Sequence, residues 1–126
     1  MKKLFLLVAG VGLATIGLSY GVVPATFLPK LFGFAVDNVN LIHIFRAVMF
    51  IYLGMSAFWI YAAFRTRLTD AAIVSVIFFM AVLALGRILS IVVDGVPHWL
   101  LVMYAGAELG IAAVGLWVLR TSEAKE

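Results

Sequence analysis

The sequence predicts an all-α protein, a four-helix transmembrane bundle, and three observations predict it. The 126-residue chain is 66% hydrophobic and only 12% charged, with a mean hydropathy of +1.20. A soluble domain is about 45–50% apolar and about a quarter charged, so this excess does not fit one small soluble core. Four apolar runs, 4–23, 41–64, 71–93 and 98–119, stand apart in the chain. Each is long enough, at about 1.5 Å per residue, to cross ~30 Å of hydrocarbon. Without water each run must satisfy its own backbone, which a helix does. The length leaves room for one domain, 1–126, and no separate soluble module.

The first run opens "MKKLFLLVAGVGLATIG", with the basic start of a signal peptide, and Val23-Pro24-Ala25 is a passable cleavage site. Its apolar stretch nevertheless has the length of a bilayer crossing, so it reads as an uncleaved first span. The segment Pro24–Asn40 carries Phe27, Leu31, Phe32 and Phe34 between two prolines and a glycine. It is too apolar for a free aqueous loop, and is expected to lie in the membrane interface as a short helix, either a connector or a lid. Asp37-Asn38 can cap the second span and Thr69-Asp70 the third. Gly95 and Pro97 stop the third and start the fourth.

Lys2, Lys3, Arg65, Arg67, Arg120 and Lys125 all fall on one side of this arrangement, against Lys30 alone on the other. The positive-inside rule then puts both termini and the Arg65–Asp70 loop in the cytoplasm. Trp59, Tyr61 and Trp117 are expected at the inner interface, Tyr20 and Trp99 at the outer. The net charge of +3 is explained by loop topology and calls for no nucleic acid. Cysteine is absent, which excludes disulfides, thiolate metal sites and a cysteine nucleophile.

Three ionisable groups lie within spans: Arg46, Arg87 and Glu108. Counting rise per residue from the outer ends, they sit about 8, 10 and 15 Å deep. Helical spacing gives them companions. Asn40, His43 and Arg46 share one face of the second span, and Arg87, Ser90 and Asp94 one face of the third. Around Glu108, the small residues Ala105, Ala112 and Gly115 let other helices approach. Asp94 ends a helix, where the macrodipole disfavours an acid and makes a cation welcome; its alternative is a solvated Asp-Gly turn.

Intramembrane charge marks a functional site by default. The set Asn40, His43, Arg46, Arg87, Ser90, Asp94 and Glu108 therefore predicts an outward-opening pocket for a small or lipid-like anionic ligand, with Arg46 and Arg87 holding its charge. The competing reading is an accessory subunit of a larger membrane complex, whose salt-bridge network fixes helix register. A third is a small membrane enzyme with Glu108 and His43 as acid and base. No metal or other cofactor is expected, because the arginines repel a cation and no paired-histidine motif is present. Four spans without a repeat or broken helix give no transporter signature.

Partners beyond membrane lipids are suggested by small-residue faces. Gly10, Ala14, Gly17 and Gly21 line one side of the first span. Gly106, Gly110 and Ala113 form a second small face on the fourth, nearly opposite Glu108. One face should complete the bundle and the other is a candidate for homo-oligomer contact.

Arg46, Gly54 and Trp59, then "GRILSIVVDGVP", then Glu108 resemble an uncharacterised family of short bacterial four-span proteins, a domain of unknown function. The resemblance covers nearly the whole chain. It implies a multi-pass inner-membrane protein and no particular activity. A looser likeness to DoxX-like four-helix membrane proteins suggests accessory roles, by architecture alone.

Overall fold

The computed structural model describes residues 1–125, and every apolar run forms one continuous helix. The order is α1 (Lys2–Gly21), α2 (Pro24–Phe32), α3 (Val39–Ala62), α4 (Thr66–Asp94) and α5 (Trp99–Glu123). All but the short α2 are long and apolar enough to cross a membrane. The helices associate as two antiparallel pairs, α1 with α3 and α4 with α5, laid against each other. One end of the bundle carries α2; the other carries the two termini and the α3–α4 turn.

The α1–α3 contact is set by glycine. A Cβ on Gly17 would lie 2.8 Å from Tyr52 Cβ, and one on Gly21 would run into Met49. Without those carbons the helices close enough for the Ser56 hydroxyl to donate to the Gly10 carbonyl oxygen at 2.5 Å. The Gly10–Gly21 face therefore completes the bundle, as its small residues require.

Segment 24–40 is more ordered than a loop. Pro24 starts α2 and Gly33, at φ +77°, ends it. Pro24, Leu28, Phe32 and Val36 are buried against the bundle, so much of the segment's apolar surface is covered by protein. Asn38 caps α3 as expected, its side chain accepting from the Asn40 N–H at 2.7 Å. At the far end of α4, Gly95 adopts φ +99° and stops the helix. His98 then caps α5, Nδ1 accepting from the Leu100 N–H at 3.2 Å.

Two local expectations are corrected. Thr69-Asp70 does not cap α4, which begins at Thr66 behind Arg65. Instead Thr69 Oγ1 donates to the carbonyls of Ala62 and Arg65 at 3.1 and 3.0 Å, clamping the α3–α4 turn, while Asp70 pairs with Lys2 at 2.7 Å. Trp59 and Tyr20 are not belt residues either. Trp59 is fully buried between the pairs and donates from Nε1 to Ser75 Oγ at 2.9 Å; a buried indole needs such a partner. Tyr20 points into the bundle beneath α2. Tyr61, Trp99 and Trp117 are exposed, as a belt requires.

Candidate functional site

Arg87 and Glu108 meet. The Arg87 Nε–H donates to both Glu108 oxygens, 2.9 Å each. The register follows from the helix stop at Gly95 and the small neighbours of Glu108. Ala105, Ala112 and Gly115 are all buried on the Glu108 face of α5, and Gly115 leaves room for Ile77 and Phe5. The Glu108 side chain is 8% exposed and that of Arg87 17%, so the pair is largely shielded yet open along one side of the guanidinium.

That open side is the informative part. A guanidinium can fork onto a carboxylate with two parallel N–H groups. Here Nε alone spans both oxygens, and neither Nη amino group has a carboxylate partner among the described residues. The Tyr104 ring lies beneath the guanidinium, 5.6 Å from Cζ to centroid, a distance at which cation–π attraction acts. Tyr20 lines the same opening as Arg87.

Two openings reach the pair. A vestibule of about 380 Å³ at the α2 end is bounded by Tyr20, Phe32, Phe34, Phe45, Tyr52 and Arg87. A groove of about 80 Å³ between α1 and α5 reaches Glu108, with Tyr52 and Tyr104 beside it. The vestibule lies in the size range of small-molecule sites, roughly 300–1,000 Å³, and the groove is a much narrower cleft. Phe32 of α2 roofs the vestibule through ring contacts with Tyr20, His98 and Tyr104 at 6.0–6.3 Å.

The other expected members do not join. Arg46, His43 and Asn40 share a face of α3, but that face is exposed, and the partner of Glu108 is Arg87. The bundle takes the opposite side, Met49, Tyr52, Ser56 and Trp59, because those residues meet the α1 glycines and Ser75. Arg46 makes no ion pair among the described residues. Asp94 does not balance an arginine; it accepts from the Ser90 hydroxyl at 3.0 Å on the exposed surface of α4. Of the expected set, Arg87 and Glu108 alone form an ion pair, one to one, among the described residues. The residues missed are Tyr20, Tyr52 and Tyr104. Tyr104 was readable, standing four residues before Glu108 on the same face.

On the second small face, Gly106, Gly110 and Ala113 are exposed. Residues 1–119 match a family model described as a domain of unknown function, DUF4345. No curated protein and no solved structure matches the chain.

Proposed function

The chain belongs to the DUF4345 family over nearly its whole length, and from that premise we propose that this small membrane protein binds one lipid-like molecule with an uncharged polar head at Arg87 and Glu108. The supporting observation is the single-nitrogen grip of Arg87 on Glu108. It leaves the amino groups of the guanidinium to donate to a carbonyl or hydroxyl oxygen, beside a carboxylate able to accept from a hydroxyl. An anionic head fits less well. Glu108 already balances Arg87 and Arg46 stands elsewhere, so an anion would bring an uncompensated charge into a low-dielectric site. The tyrosines supply the uncharged polar surroundings that such a head prefers.

The test is native mass spectrometry of protein released in a gentle detergent. Arg87→Lys keeps the charge but loses the fork. The wild type is expected to retain a small neutral molecule, and Arg87→Lys to lose it by about tenfold or more while remaining folded. Equal retention by both, or retention of nothing by the wild type, overturns the reading.

A second reading, an accessory subunit, is favoured by one observation: Arg46 and Phe50 stand exposed on neighbouring positions of α3. An intramembrane arginine ordinarily faces protein or water, so a partner helix covering that face would satisfy it.

A further inference from the structure

We infer that the bound lipid is single-chained, and that its chain runs from the Arg87–Glu108 pair along the α1–α5 groove toward the end of the bundle that holds the termini. This rests on the proposed head site and adds the identity and direction of the tail.

The groove does not end at Glu108. Beside and below it, Val8 and Ala9 of α1 and Ala107 and Ile111 of α5 belong both to the opening that reaches Glu108 and to a second hollow of about 460 Å³. That second hollow ends at Phe5 and Val114. Together they form one track whose polar element, the carboxylate with Tyr52 and Tyr104, is confined to one end. From Glu108 to Val114 the track spans about 9 Å of helix.

Two glycines line the track. A Cβ on Gly12 or Gly110 would meet nothing within 4 Å, in contrast to Gly17 and Gly21, which are closed by α3. No side chain of the bundle fills the space next to either glycine.

Depth selects the head. Glu108 lies nine residues into α5, about 14 Å from its start, near the middle of the hydrocarbon. A phosphate head held at the membrane surface does not reach that level, and drawing one down would desolvate its charge. A hydroxyl-bearing head without phosphate reaches it at little cost, donates to Glu108 and accepts from Arg87. The chemistry therefore points to a single-chain neutral lipid, of which a monoacylglycerol is the simplest probe.

The experiment uses the protein in phosphatidylcholine vesicles with a monoacylglycerol carrying a diazirine at the end of its chain. Irradiation and peptide mapping should place the cross-links around Phe5 and Val114. In the Gly12→Leu/Gly110→Leu variant, leucines fill the track and this labelling should fall about tenfold. Gly54→Leu, open to solvent or lipid on α3 and outside the track, should leave it unchanged. Cross-links spread evenly over exposed positions such as Phe50 and Phe78, or labelling indifferent to the two leucines, would overturn the tail assignment. The head site is judged separately by Arg87→Lys: a molecule lost in that variant, with no cross-links at Phe5 or Val114, keeps the head and rejects the groove.

Discussion

Arg87 and Glu108 are each unfavourable alone in an apolar bundle, and each removes the other's penalty. Arg87→Met should therefore destabilise by about 3–5 kcal/mol, because it leaves a shielded carboxylate without its cation. Arg87→Met/Glu108→Met removes both charges and should recover most of that loss, read as unfolding midpoints in one detergent. A double variant no more stable than the single would mean that the shape of the pair, rather than its charge balance, holds the helices. The same residues show what a membrane sequence discloses. Depth is a linear count from a helix stop, so Arg87 and Glu108 could be placed at similar levels from Gly95. Rotation about the helix axis is harder. In a soluble helix a polar side marks the outside, but α3 turns Phe50 and Ile51 outward and Met49 and Tyr52 inward, and lipid makes both sides apolar. Arg46 was assigned to the inside for want of that contrast.

At the level of helices, the α1–α3 pair depends on close approach and the α1–α5 gap does not. Gly17→Leu should lower stability by about 1–3 kcal/mol through overpacking against Tyr52. Gly12→Leu should change it by less than about 0.5 kcal/mol, since nothing stands in its way. Thermal unfolding of the two variants side by side checks this, and equal losses would contradict the packing described. The spans themselves were legible because hydrocarbon thickness imposes a minimum length. Their ends were less so: α4 begins at Thr66, five residues ahead of the apolar run. Helical hydrogen bonding continues into polar sequence where water can satisfy an end that has no side-chain cap. The helix in segment 24–40 was readable from Pro24 and its phenylalanines, and the four-residue repeat Pro24, Leu28, Phe32 marks the face by which it seats on the bundle.

The arrangement of basic residues makes an expectation for the whole molecule. Because the chain has no cysteine, Lys30→Cys and Lys125→Cys each introduce a lone thiol. A membrane-impermeant maleimide applied to intact cells should label Lys30→Cys and spare Lys125→Cys; the opposite pattern would turn the molecule over. The assembly of the bundle from two helix pairs has a mechanical consequence. The only covalent link between the pairs is the α3–α4 turn, and Trp59–Ser75 and Lys2–Asp70 fasten them near that same end. The Arg87–Glu108 bridge lies wholly within the α4–α5 pair. Midway the pairs meet through the edge contact of Tyr52 with Phe79, and at the far end Phe32 of α2 meets Tyr104 of α5. The molecule is therefore built like a clothes-peg, sprung at the termini and with its jaws under α2. Parting those jaws slides aromatic rings past one another and separates no acid from its base, so a guest could enter or leave without breaking the bridge that would hold it.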